Sequence, residues 1–240
     1  HRVRRERRRL GGGIADPAAL QTWWTYAHDL VRVLDALGPR PRVLAGHSMG
    51  AVSSLLAASL RPDLASAVVL FEPVTMGLRR RAMIFMLKAM GRWEDLNPLV
   101  QATRRRRRDF VSKEAAVTGY TGKGAFRTWP ADMLKDYVEG GLKEDGKGGY
   151  TLACAPEWEA ANYLLGPPPI AAAARRLKCP IIVLAGTNHS TVDPGVLNAL
   201  RRVGPNVEVT VIDGATHFLP MEHRERAREA ILRAAAFGHR

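Results

Sequence analysis

Five residues constrain this chain more than any others: Gly46-His47-Ser48-Met49-Gly50. The bare Gly-x-Ser-x-Gly pattern arises often by chance, so its flanks carry the weight. The apolar run Arg42-Val43-Leu44-Ala45-Gly46 reads as a buried strand, and Ala51 to Leu60, rich in alanine and leucine, reads as a helix. A serine at such a tight strand-to-helix turn is held in a strained conformation with its hydroxyl exposed. The flanking glycines are expected because a side chain at either position would clash. The Met49 N–H then opens a helix, where backbone donors face any negative charge that develops nearby.

The surroundings repeat the same logic. Asp16-Pro17 supplies an N-cap and a proline at the first helical position. Apolar residues from Leu20 to Leu37 recur at helical spacing, and Gly38-Pro39 ends the run. Ala67 to Phe71 is a second short apolar strand, followed by Glu72-Pro73. Later, Pro180 to Ala185 and Val207 to Ile212 read as strands, Asp193-Pro194 starts a helix, and Met221 to Phe237 forms a charged final helix. Strands alternating with helices predict an α/β fold with a mostly parallel sheet. Residues 76–168 break the rhythm with helical pieces, an arginine run and a Gly/Lys-rich stretch, closed by Gly166-Pro167-Pro168-Pro169. They read as an inserted helical lid, between a core segment at 1–75 and another at 169–240.

A serine hydroxyl is a poor nucleophile without a base. Of seven histidines, His217 is the candidate, because it follows a strand and precedes the last helix. His47 is the variable residue of the turn. Once these residues are set out, the chain resembles the α/β-hydrolase superfamily, over residues of about 16–75 and 170–237. The likeness rests on Gly46-His47-Ser48-Met49-Gly50, the strands Ala67 to Phe71 and Ile181 to Gly186, and Gly214-Ala215-Thr216-His217-Phe218-Leu219-Pro220-Met221-Glu222. The family's triad runs serine, acid, histidine. The resemblance therefore implies Ser48 as nucleophile, His217 as base and the Met49 N–H as oxyanion donor.

The acid departs from the family pattern. Its usual place after the strand ending at Gly186 holds His189, and an imidazole cannot support a second imidazolium as a carboxylate does. Glu72, at the end of the preceding strand, is one replacement, because a carboxylate at the C-terminal end of a central parallel strand points into the ligand crevice. Asp193 is the other, although a helix-capping role explains it fully, and a chain with no working acid is the third reading. Ser48 suits acyl transfer on esters, lactones, thioesters or diketones. His47, Met76, Trp129 and Phe218 are candidate pocket residues, with the alternative that the aromatic residues of the insertion form its own core.

The resemblance also implies that the family's first strands do not stand before Arg42. The chain, which begins with His1, then reads as a fragment whose strand at 42–46 has an open edge. Composition narrows the classes. Hydrophobic residues make up 46% and charged residues 25%, as in globular domains. No apolar run reaches the roughly 20 residues of a membrane span. Two cysteines and no secretory leader point to the cytoplasm. No cluster has metal-ligand spacing, and neither metal nor cofactor is expected. The net charge of +13 gathers in Arg2–Arg9, Arg79–Arg81 and Arg104–Arg108. Nucleic-acid binding is the weakest reading of these blocks, because no recognition motif accompanies them. The readings carried forward are a serine hydrolase acting on a small molecule and, as the alternative, a non-catalytic ligand-binding relative.

Overall fold

The computed structural model describes residues 16–237; the first arginine block and Gly11–Gly13 lie outside them. The chain divides into two compact units, His1–Ala82 with Gly166–Arg240, and Met83–Leu165.

The first unit is built on four parallel strands, β1 (Arg42–His47), β2 (Ala65–Phe71), β3 (Ile181–Gly186) and β4 (Val207–Ile212), lying side by side in that order. The two inner strands are the apolar ones: six of seven residues of β2 and all six of β3 are buried. Parallel strands covered on both faces lose the alternation of polar and apolar residues. The outer strands β1 and β4 are only partly buried, and among the described residues β1 forms one edge of the sheet.

Side chains on a strand alternate between faces. Ala67, Val69 and Phe71 of β2 join Ile182 and Leu184 of β3 in one cluster with Ala227, Ala230 and Ala234. These alanines belong to the final helix, α4, Arg224–Phe237; their small side chains let it lie close on the sheet. The helix after the serine, α2 (Met49–Leu60), is buried throughout from Ala51 to Ser59 and packs on β1 and β2. Its buried serines donate to backbone carbonyls, Ser53 to Met49 and Ser59 to Leu56, so a helix without charges can be covered on every side. Burial of a single leucine such as Leu55 contributes about 1.5–3 kcal/mol. Helix α1, Trp24–Ala36, packs on α2, and α3, Pro194–Arg201, on β4.

One boundary differs from the sequence expectation. Asp16-Pro17 starts only a 3₁₀ turn, Pro17–Ala19, and α1 begins at Trp24. The turn closes as Leu20 N–H donates to the Pro17 carbonyl. Leu20 and Trp23 are buried in the intervening bend, so packing overrides their helical spacing.

The second unit contains helices and also a sheet that the sequence pattern did not reveal. Three antiparallel strands, Asp109–Phe110, Tyr150–Leu152 and Leu142–Glu144, pair in that order. At two or three residues each they are too short to show a period. Phe110, Leu142 and Leu152 from these strands pack with Ala116, Leu134 and Val138 as the unit's core. The arginine run lies in this unit and is mostly committed: Arg104 pairs with Glu94, Arg106 with Glu159 and Arg108 with Glu157, while Arg107 lies over the Phe110 ring.

Candidate active site

Ser48 follows directly on β1, and its N–H continues the ladder by donating to the Phe71 carbonyl at 3.0 Å. Its backbone stands at φ 58°, ψ −121°, a region that L-residues enter only when the surroundings enforce it. The enforcement is visible at Gly46. A Cβ there would lie 2.3 Å from the Gly50 backbone and 2.6 Å from the Ala51 nitrogen. The second glycine differs from expectation: a Cβ on Gly50 meets nothing within 4 Å. Only the first turn glycine is required by contact. Met49 is the first residue of α2. The leading N–H groups of a helix have no partner in its ladder, so the Met49 N–H is not used by α2 itself.

Glu72 stands just past the neighbouring strand end, with its N–H donating to the Leu184 carbonyl. It is fully buried and holds a positive φ of 45°. A buried charge must be paired and hydrogen-bonded, and this one is. Gly186 N–H donates to Oε1 at 2.5 Å, Ser190 Oγ donates to the carboxylate at 2.8 Å and Thr191 N–H donates to Oε2 at 3.0 Å. Burial pushes the carboxyl upward, but hydrogen bonds from His217, Gly186, Ser190 and Thr191 outweigh it and hold Glu72 below the usual carboxylate range.

His217 lies in the loop after β4. Its Nε2 is 3.0 Å from Ser48 Oγ, and its Nδ1 is 3.4 Å from Glu72 Oε2. The loop is tied down from several sides. Asn188 N–H donates to the Ala215 carbonyl, and Glu222 accepts from both the N–H and the hydroxyl of Thr216. Close approach of the β3 end explains Gly186, where a Cβ would lie 2.1 Å from the Ala215 oxygen. The Ser48 hydroxyl and the Glu72 carboxylate thus stand at opposite nitrogens of the His217 ring, a set of groups that can activate a serine.

Of the remaining candidates, His47 and Phe218 lie against His217 and the others do not. Asp193 caps α3, its Oδ1 accepting from Val196 N–H at 3.1 Å; the capping explanation accounts for it. His189 is exposed at φ 48°. His47 donates from Nε2 to the His217 carbonyl at 2.6 Å, and its ring lies 4.8 Å from that of His217. Burial holds His47 below the ordinary histidine range, against the raising effect of that hydrogen bond. Phe218 packs edge-on against His217. Met76 is half-buried beside Gly166. Trp129 stacks edge-on with Phe126 and Tyr137 within the second unit. Ser190 and Thr191 were missed in the sequence; the signal available was a pair of hydroxyl residues directly after the position where the acid is absent.

Among the described residues no group of three or more potential ligands could hold a metal ion, and no helix is long and apolar enough to cross a membrane.

Comparison with known proteins agrees with this architecture. A model of the alpha/beta hydrolase family matches residues 7–232. The chain is 26% identical over 195 residues to a 2-(acetamidomethylene)succinate hydrolase of Mesorhizobium japonicum, which covers 81% of this chain and 64% of that relative. It thus spans less than two thirds of the relative's length. The crystal structure of an E-2-(acetamidomethylene)succinate hydrolase superposes with a TM-score of 0.67 at 23% identity, over 93% of this chain and 76% of that one. A thermophilic esterase from Thermogutta terrifontis gives 0.60 at 22% identity, over 92% and 75%. At these identities the structural likeness is one of fold.

Proposed function

The chain belongs to the alpha/beta hydrolase family, and on that premise we propose that it is a serine hydrolase that cleaves a small ester-like substrate through an acyl-enzyme. The observation that carries the reading is the line from Ser48 Oγ to His217 Nε2, 3.0 Å, with the buried Glu72 carboxylate behind Nδ1.

The chemistry follows from the atoms. His217 Nε2 takes the proton of Ser48 as Oγ attacks the substrate carbonyl carbon. The oxygen that becomes negative accepts from the Met49 N–H, aided by the positive end of α2. Glu72 stays ionised and stabilises the imidazolium. The imidazolium returns its proton to the departing group, leaving an acyl group on Ser48. Water, deprotonated by the same imidazole, then releases the acid and restores the hydroxyl.

Esters, lactones, thioesters and diketones are the candidate substrates. A panel should also include 2-(acetamidomethylene)succinate, for which the relative is named. The direct test is reaction with a fluorophosphonate, followed by mass spectrometry of the modified residue. Wild-type chain is expected to label at Ser48, Ser48→Ala and His217→Ala to lose labelling, and Glu72→Gln to label slowly. Absence of labelling at Ser48 in a folded wild-type chain refutes the proposal.

A further inference from the structure

His217 Nδ1 has two oxygen neighbours, and the nearer one is not the carboxylate. Thr191 Oγ1 lies at 2.9 Å, against 3.4 Å for Glu72 Oε2. The same hydroxyl is 3.5 Å from Glu72 Oε2. Thr191 therefore stands within reach of both base and acid.

Counting donors assigns the protons. For Nε2 to accept from Ser48, a neutral His217 must carry its hydrogen on Nδ1. That N–H needs an acceptor. A hydroxyl offers one donor and two lone pairs, whereas an ionised carboxylate only accepts. The consistent arrangement has Nδ1–H donating to Thr191 Oγ1, and the Thr191 hydroxyl donating to Glu72 Oε2. The rest of the carboxylate is occupied by Gly186, Ser190 and the Thr191 N–H.

We propose that Thr191 is a positioning residue whose hydroxyl bridges Glu72 and His217, so that the acid holds the base through a neutral oxygen as well as directly. This rests on the reading of Ser48, His217 and Glu72 as the reacting set. The bridge fixes the Nδ1–H tautomer and the ring plane. When Ser48 loses its proton to Nε2, the Nδ1 proton stays on nitrogen and the Thr191 proton stays on oxygen, so no proton is passed to Glu72.

The loop itself does not depend on this hydroxyl. The Thr191 N–H still donates to Glu72 and its carbonyl still accepts from Thr75 N–H whatever the side chain. Thr191→Val keeps the shape and removes the bridge; Thr191→Ser keeps the bridge; Thr191→Ala is a second way of deleting it if valine disturbs the fold.

The experiment is nuclear magnetic resonance of the full chain with isotopically labelled histidine, beside fluorophosphonate kinetics. Wild type and Thr191→Ser should show His217 as the Nδ1–H tautomer, with that proton protected from exchange. Thr191→Val and Thr191→Ala should lose the protected proton and shift the tautomer balance. Labelling of Ser48 should fall about 10-fold in both deletions, less than the about 100- to 10,000-fold that the acid–base group itself contributes, and recover in the serine variant. An unchanged Nδ1 proton and tautomer balance in folded Thr191→Val and Thr191→Ala would overturn the proposal. Failure of the wild type to label would overturn the hydrolase reading instead, while the tautomer measurement would still decide the role of Thr191.

Discussion

The carboxylate of Glu72 and the backbone N–H of Gly186 meet at 2.5 Å, although they leave the ends of two different strands. The ladder arranges this: Phe71, the last residue of β2, pairs with Leu184 of β3, so Glu72 emerges beside the last two residues of β3, Ala185 and Gly186. The register that pairs His47 with Phe71 brings Ser48 to that level too. Ser48 and Glu72 are neighbours because their strands are neighbours, and both stand at the C-terminal edge of the sheet, where ligands of such folds bind.

Glu72 titrates below the usual carboxylate range in the folded chain, which fixes the sign of its pH dependence. A depressed acid binds its proton more readily when unfolded, so its contribution to stability is fully present above the unfolded value of about 4.3. The contribution is lost as pH falls through the lower folded value. Urea unfolding of wild type and Glu72→Gln should differ by about 1.5–3 kcal/mol near pH 7, the scale of a hydrogen bond to a charged group. The gap should close at strongly acidic pH. A gap that does not change with pH would mean that Glu72 is not ionised in the folded chain.

The two glycines of the serine turn should respond in opposite ways. Gly46→Ala forces a Cβ to within 2.3 Å of backbone atoms, and backbone cannot move aside as a side-chain tip can. It should abolish folding or cost several kilocalories. Gly50→Ala enters open space in a helix, where alanine is favoured over glycine by up to about 1 kcal/mol. Thermal melts of the two variants check both halves; a severe loss in Gly50→Ala would contradict the geometry.

Asp193 separates the two candidate acids. As the cap of α3, its replacement by alanine should lower stability by about 1 kcal/mol and leave the rate of Ser48 labelling unchanged. Asp193→Asn, which can still cap, should recover the stability. A labelling rate that collapses in Asp193→Ala without loss of fold would return the acid role to this residue.

These contrasts follow what could be read in the sequence. Ser48 was legible because its signals are contiguous: a strand, a tight turn and an alanine-rich helix. His217 was legible from order along the chain. Glu72 could be named only beside Asp193, because choosing between them depends on strand register and on the path of residues 187–192, which no local pattern encodes. Thr191 was not legible, since a hydroxyl between two titratable groups is a relation across 26 residues to one and 119 to the other. The two- and three-residue strands of Met83–Leu165 escaped for want of a measurable period. The break before α1 escaped because burial of Leu20 and Trp23 outweighs their spacing.

The loop carrying His217 gives the last prediction. Glu222 accepts from Thr216 N–H at 2.9 Å and from Thr216 Oγ1 at 2.5 Å, and Thr216 directly precedes His217. Leu219 N–H donates back to the Thr216 carbonyl, so the carboxylate and the short helix Leu219–Glu222 clamp one residue from both sides. Glu222→Ala removes half of the clamp. The imidazole should then lose its fixed distance to Ser48, and a displacement of even 1 Å can lower a rate by about 100-fold. Labelling of Ser48 should fall by about 10- to 100-fold, with a stability loss of about 1–3 kcal/mol. Glu222→Gln retains one acceptor oxygen and should lie between the two. If Glu222→Ala loses the stability but labels at the wild-type rate, the position of His217 is set by His47, Thr191 and Glu72 without help from this clamp.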